Sequence, residues 1–124
     1  MARTELTLQT TTRAGIAPTY TAATVDGFAV NNEYYRVILH VKNGNASPCT
    51  VTVQTPGTVD GLAIPDLTVV VPATTGDKMI GPFPGAVYNV DDSATTGVKK
   101  ALIVTFSVQA SVTVAAFKVG STSY

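Results

Sequence analysis

Two runs of alternating apolar and polar residues, separated by a turn-forming segment, constrain this chain more than any other feature. They lie within residues 34–57, YYRVILHVKNGNASPCTVTVQTPG. Successive side chains of a β-strand point to opposite faces, so a period of two predicts two half-buried strands. Residues 43–48 combine Asn, Gly and Pro, and predict that the chain reverses into a hairpin. The predicted buried positions are Val37, Leu39, Val41, Cys49, Val51 and Val53.

Short alternating segments recur along the rest of the chain and are bounded by turns rich in Gly, Pro and Asp. Residues 109–111 predict a tight antiparallel connection between the last two. About seven or eight short strands, with turn signals about every 8–12 residues and no convincing helix, predict an all-β fold, either an antiparallel β-sandwich or a jelly roll. The further segments are residues 4–9, 28–30, 67–71, 86–90, 102–109 and 112–117.

The length of 124 residues favours a single domain. We assign residues 13–124 to the β-sandwich and residues 1–12 to an N-terminal arm or edge strand. Terminal segments are easily exchanged between subunits, so this arm could add to the sheet of another protein. We expect its removal to leave the domain folded. The following segment, residues 10–25, has little periodicity and is predicted to be a contact loop.

Charge and hydropathy exclude several classes of partner. Only 13% of the residues are charged and the formal net charge is zero, whereas nucleic acids and anionic membranes attract fields of Lys and Arg. No apolar run approaches the roughly 20 residues of a membrane helix, and the opening MARTELTLQT lacks the apolar core of a secretion signal. We therefore expect no nucleic acid, no membrane and folding in a cytoplasm. The neutral surface fits an ordinary small β domain or a protein that packs against copies or partners.

The sequence presents no catalytic constellation. The single histidine, His40, is predicted to be a solvated surface residue, because the nearest acid in sequence, Glu33, falls on the other face of a regular strand. The single cysteine, Cys49, lies on the apolar face of its run and is predicted to be a buried small hydrophobic residue. We predict that the protein is not an enzyme and has no catalytic residue and no cofactor.

Metal and sugar sites are poorly supported too. The chain has no CxxC motif and no second histidine, which excludes structural zinc. Residues 91–93, Asp-Asp-Ser, offer oxygen ligands but lack the pattern of a calcium loop, so we interpret them as a polar surface loop. Acidic residues could pair in space as in glycoside hydrolases, but there is no Trp to hold a sugar, and Tyr34–Tyr35 offers one exposed ring. We predict no metal site.

Three aliphatic residues fall on strand faces that are otherwise polar. If they align across one sheet, they form an apolar patch that favours a neighbouring subunit. We therefore expect a homo-oligomer, with a trimer as the favoured form. The predicted oligomer contacts are Ile38, Val70 and Ile103.

Four segments together resemble a group of small proteins of tailed phages and prophages, typically encoded close to the major capsid protein. The resemblance covers most of the chain and is carried by a pattern of strands and turns rather than by a catalytic signature. Residues 91–100 are longer and more charged than that pattern. The four segments are MARTELTLQTTTRAGIAPTYTAATVDG (1–27), LHVKNGNASPCTVTVQTPGTVDGLAIPDLTVVVPA (39–73), IGPFPGAVYN (80–89) and VTVAAFKV (112–119).

The resemblance implies a capsid decoration, or cement, protein. Such a protein binds the major capsid protein on the outside of the virion, at capsomer junctions, and stabilises the shell against the pressure of packaged DNA after assembly in the host cytoplasm. Several modest contacts made at once give the required affinity. The alternatives are a head–tail connector or tail structural protein, and a carbohydrate- or receptor-binding β-module. The residues expected to contact the capsid are Arg3, Leu6, Leu8, Arg13 and Tyr20.

Overall fold

The computed structural model describes residues 3–32, 37–56, 58–83 and 85–118. Over these residues the chain is all-β, as the alternating pattern predicts, with thirteen strands and one turn of helix, α1 (Gly85–Tyr88). The count exceeds the predicted seven or eight because several strands have only two or three residues. The strands are β1 (Thr4–Leu6), β2 (Leu8–Thr10), β3 (Thr21–Ala22), β4 (Phe28–Asn31), β5 (Val37–Asn43), β6 (Cys49–Val53), β7 (Thr58–Val59), β8 (Leu62–Ala63), β9 (Leu67–Val71), β10 (Gly76–Ile80), β11 (Val90–Asp92), β12 (Val98–Phe106) and β13 (Val112–Lys118).

Two sheets form the sandwich. Sheet A has the order β1-β4-β12-β6-β9, and β1 runs parallel to β4 while the other neighbours are antiparallel. Ala101 of β12 pairs with Asn31 of β4 on one side and with Val90 of β11 on the other side. Strand β11 therefore lies on the same side of β12 as β6. Sheet A therefore has β1 at one edge and β9 at the other.

Sheet B has the order β10-β5-β13-β2, and β3 pairs with β13 on the same edge as β2. Strands β7 and β8 form a separate small hairpin. The N-terminal segment contributes to both sheets, since β1 joins sheet A and β2 joins sheet B, with the chain changing sheets at Thr7. Residues 4–10 are thus edge strands of their own domain.

The core lies between the two sheets. Every residue that the two alternating runs predict to be buried is at most 1% exposed, which confirms the predicted strand faces. The inward-facing side chains of β12 and β13 complete the same cluster, and the aromatic rings of Phe28 and Phe106 meet edge to face at 6.1 Å. The inward residues of these last two strands are Leu102, Val104, Phe106, Val112, Val114 and Ala116.

A second, smaller cluster lies on the other side of sheet A. It consists of Ala29, Val98, Ala101 and Ile103, with Val90 packed against it. Strand β12 is therefore apolar on both faces over residues 101–104, which a central strand covered on both sides requires.

The predicted hairpin between the first two runs is wrong. Strand β5 belongs to sheet B and β6 to sheet A, so the turn at residues 43–48 crosses between the sheets. The predicted tight pairing of the last two strands is wrong for the same reason, since β12 and β13 lie in different sheets. Alternation indicates which side chains of a strand are buried, but both inner faces of a sandwich have the same pattern, so it does not identify the neighbouring strand.

The predicted strand at residues 86–90 is also wrong. The chain there makes the helical turn α1 before β11 begins at Val90. The predictions for Glu33 and for Tyr34–Tyr35 lie outside the described residues.

Candidate binding surface

An open apolar groove of about 310 Å³ lies on the outer face of sheet B. Its floor is formed by outward-facing residues of three neighbouring strands, with Met79 of β10 directly opposite His40 of β5, and Ile38 of β5 opposite Phe117 of β13. The wall comes from the loop that follows β2. Met79 is 63% exposed, so the chain itself leaves much of this surface uncovered. The groove, called the sheet B groove below, is lined by Thr11, Ile16, Pro18, Tyr20, Ile38, His40, Met79, Phe117 and Lys118.

A chain of three polar side chains crosses one end of the groove. The hydroxyl of Tyr20 lies 2.7 Å from Nδ1 of His40, and Nε2 of His40 contacts Oδ1 of Asp77. A carboxylate only accepts hydrogen bonds, so Nε2 donates to Asp77, while the direction of the bond between Nδ1 and the Tyr20 hydroxyl depends on the protonation state of the ring; in either direction the Tyr20 oxygen keeps a free lone pair. The oxygen of Tyr20 is then left as an acceptor for a hydrogen-bond donor entering the groove.

These contacts hold the wall of the groove in place. The Tyr20 ring packs edge to face on His40 with centroids 5.4 Å apart, and Nζ of Lys42 lies 4.4 Å from the centre of the same ring. Just before it, Thr19 exchanges two hydrogen bonds with the side chain of Gln9, at 2.7 and 2.9 Å. The end of the loop is therefore anchored, and we interpret the Tyr20–His40–Asp77 chain as structural.

His40 is not the solvated residue that the sequence predicts. Its side chain is only 16% exposed and is bonded on both ring nitrogens. The acid that contacts it comes from β10, 37 residues away along the chain. Sequence reasoning missed this contact, and missed Met79 with it, because nothing in the alternation indicates that β10 pairs with β5.

Cys49 is buried as predicted, at 0% exposed, and its thiol donates to the carbonyl of Val108 at 3.4 Å. It lies in sheet A and in the core, whereas His40 lies on the outer face of sheet B. The structure therefore keeps the two residues apart, on opposite sides of a sheet.

The five predicted capsid contacts have different positions. Leu6 is buried, at 5% exposed, and Leu8 is half-buried against the core. Arg3 makes two hydrogen bonds with Asp92, at 2.6 and 3.1 Å. Arg13 is exposed in the loop, and Tyr20 lies in the sheet B groove. Three of the five therefore hold the N-terminal strands in the fold, and two lie on the surface beside or in the groove.

The three predicted oligomer contacts do not lie across one sheet. Ile38 is half-buried in the sheet B groove, Val70 is 53% exposed on the edge strand β9, and Ile103 is 1% exposed within the second cluster of sheet A. Ile103 is covered by its own chain and has no surface to offer. Ile38 and Val70 are accessible but belong to separate surfaces.

The acidic loop at residues 91–93 is partly internal. Asp91 is exposed and accepts a hydrogen bond from the backbone N–H of Ser93 at 3.0 Å, while Asp92 is 4% exposed and bonded to Arg3. Among the described residues no group of three His, Cys, Asp or Glu side chains is placed to hold a metal ion. The same part of the chain contains no helix long and apolar enough to cross a membrane.

Comparison of the chain with protein-family models, with curated proteins and with solved structures found no match in any of the three.

Proposed function

We propose that this protein is a capsid decoration protein of a tailed phage, which binds the major capsid protein from outside and reinforces the shell. The observation that carries the proposal is the sheet B groove, whose apolar side chains lie open on a nearly neutral surface. This supports a protein that works by adhering to another protein surface. The setting comes from the resemblance of the sequence to head-region proteins of phages.

The groove is suited to a contact of modest strength. Complete burial of a side chain such as Met79 contributes about 1.5–3 kcal/mol, and methionine adapts its shape to irregular partner surfaces. A single contact of this size binds weakly. A shell presents many equivalent positions, so a protein that makes several such contacts at once gains a much higher apparent affinity.

The anchored loop supports the same role. Tyr20 and Thr19 are held by hydrogen bonds before any partner arrives. A surface that is already ordered loses less conformational entropy on binding, so more of the contact energy appears as affinity. A partner that donates a hydrogen bond to the Tyr20 oxygen would be oriented in the groove as well.

Two alternatives use the same fold. A head–tail connector or tail protein would form one ring at a single position of the virion, whereas a decoration protein covers the shell in many copies. A carbohydrate- or receptor-binding module would use the aromatic side chains of the groove, Tyr20 and Phe117. The location and copy number of this chain on a virion distinguish a connector or tail protein from a decoration protein. Binding to glycans, and not to shells, would favour the carbohydrate- or receptor-binding module.

The test is sedimentation of the purified protein with shells assembled from the major capsid protein of the proposed phage. We expect the wild-type protein to sediment with the shells, and Met79→Asp to bind about ten-fold more weakly or worse, because a charge would be buried without a partner. Val25→Asp is the matched control, since Val25 is 75% exposed and lies outside the groove.

Two results would contradict the proposal. If Met79→Asp binds shells as well as Val25→Asp does, the sheet B groove is not the contact. If the wild-type protein binds no shell but is found at the neck of virions, the connector is the better assignment.

A further inference from the structure

The edges of the two sheets differ in how well they are protected. Free strand edges are usually blunted by short length, charge or proline. Strands β1, β2 and β3 have three, three and two residues, and β10 carries Asp77 and Lys78. Strand β9, LTVVV, has five residues with no charge, no Gly and no Pro, and it forms one edge of sheet A. It is the edge with the fewest features that prevent pairing.

The directions of the backbone groups in β9 follow from those of its neighbour β6. The N–H of Thr50 donates to Ser107 Oγ at 2.8 Å, and the Thr50 carbonyl accepts from the Ser107 N–H at 3.0 Å, so the backbone groups of Thr50 point toward the β12 side. The backbone N–H and C=O groups of successive residues point to opposite edges of a strand, so those of the odd-numbered residues of β6 point to β9. The residues of β9 that pair with them are odd-numbered as well. The N–H and C=O groups of Thr68 and Val70 therefore point out of the sheet.

These outward groups have no hydrogen-bond partner within the described part of the chain. Both side chains are exposed as well, Val70 by 53%. A row of alternating donors and acceptors on an extended backbone is complementary to one kind of partner, which is another extended strand.

We propose that two copies of this chain pair antiparallel through β9, with the two-fold axis at Val69. In this register Thr68 of each copy lies opposite Val70 of the other, and each such pair exchanges both N–H···O hydrogen bonds. The two Val69 residues face each other at the centre as the closer, non-hydrogen-bonded pair. The two copies of sheet A then form one continuous sheet.

The strand is complementary to itself, which is why a second copy is the expected occupant. The exposed side chains place valine against threonine, two β-branched residues that pair well across strands. No like charges meet across the new pairing, because Asp66 falls opposite Pro72 of the other copy. The chain also has no formal net charge, so two copies do not repel each other at long range. Pro72 has no N–H to donate, so the new ladder ends there.

This pairing predicts a dimer in place of the trimer favoured by the sequence, and it does not depend on capsid binding. The test measures molar mass in solution by sedimentation equilibrium over a wide range of concentration. We expect twice the 12.8 kDa of the monomer. Val70→Pro should raise the dissociation constant about ten-fold or more, since it removes one outward N–H from each copy and none of the bonds between β6 and β9.

A second variant and a second readout separate loss of pairing from loss of fold. Thr68→Lys keeps the backbone intact and places like charges near the axis, and it should also produce monomers with the circular dichroism and unfolding midpoint of the wild type. Val25→Lys, in the turn before β4, which two strands of sheet A separate from β9, should remain dimeric. Hydrogen exchange at the amides of Thr68 and Val70 should slow as concentration rises.

The proposal is overturned by a wild-type protein that stays monomeric at its solubility limit. It is also overturned by a trimer, or by a dimer that survives both Val70→Pro and Thr68→Lys. Slow exchange at Thr68 and Val70 that appears only when another protein is added would identify a foreign strand as the occupant and exclude the second copy.

Discussion

Asp92 shows how one buried charge ties the residue that precedes β1 to strand β11. Arg3 donates to both carboxylate oxygens, at 2.6 and 3.1 Å, and the hydroxyl of Thr96 donates a further bond at 2.8 Å. These contacts, the Arg3 bonds first, hold the pKa of Asp92 below its ordinary value in spite of burial. The carboxylate is thus stabilised in its ionised form by a residue that precedes the first strand.

Replacing Arg3 by Ala should therefore lower the free energy of unfolding by about 2 kcal/mol at pH 7, because the buried carboxylate loses its charged partner. The pKa of Asp92 is lower in the folded than in the unfolded protein, so this stabilisation is complete above about pH 4 and is lost as the pH falls further. Urea denaturation at several pH values measures it. Arg13→Ala, at an exposed position, is the control, and an equal loss in both variants at pH 7 would contradict the account.

Residue by residue, the sequence predicts burial much better than it predicts contacts. The alternation identifies the inward side chains of β5 and β6 without error, with Cys49 among them, but it places Ile103 of β12 on an outer face although that residue is 1% exposed. The contact between His40 and Asp77 is invisible to it, since this depends on which strands become neighbours. The same is true of Arg3 and Asp92, which lie 89 residues apart in the chain.

At the scale of elements, the N-terminal strands are structural parts of the domain. Strand β1 pairs with β4 in sheet A, and its last residue, Leu6, contributes to the core. Removing this segment would expose the edge of β4 and take Leu6 and Arg3 away from their partners. We therefore expect the domain to be less stable without it, contrary to the expectation from the sequence.

The contribution of β1 can be measured at one residue. Leu6→Ala should lower the free energy of unfolding by about 2–3 kcal/mol, because it leaves a cavity between the sheets. Leu62→Ala makes the same chemical change at a position that is 72% exposed, and it should change stability by no more than about 0.5 kcal/mol. Equal effects of the two substitutions in thermal or urea unfolding would show that β1 is detached in solution.

Elements are predicted less evenly than residue faces. The positions of β9, β12 and β13 follow from their alternation to within a few residues, and β4 lies where the sequence predicts a short strand at residues 28–30. Residues 43–48 form a turn, as predicted, but this turn joins a strand of sheet B to a strand of sheet A instead of two paired strands. Asn43 explains part of this, because its buried side-chain amide donates to the carbonyls of Val71 and Pro72, both at 3.2 Å, and so binds the end of β5 to the end of β9 across the sandwich.

On the scale of the whole molecule, the two proposed contact surfaces are independent. The sheet B groove faces outward from one sheet, and the β9 edge ends the other sheet. Neither uses a residue of the other. Two copies can therefore pair through β9 while the groove of each copy remains open. A protein that reinforces a repetitive shell would use both grooves at once.

This arrangement predicts that dimerisation and shell binding are coupled through avidity. The Val70→Pro monomer keeps an intact groove, yet it should bind shells about a hundred-fold more weakly than the wild-type dimer, because it engages one site at a time. The Met79→Asp dimer should bind weakly as well, but without any change in its molar mass. Sedimentation with shells at a fixed protein concentration, combined with the molar mass of each variant, distinguishes the two defects. Equal shell affinity of the Val70→Pro monomer and the wild-type dimer would mean that only one groove of each dimer reaches the shell.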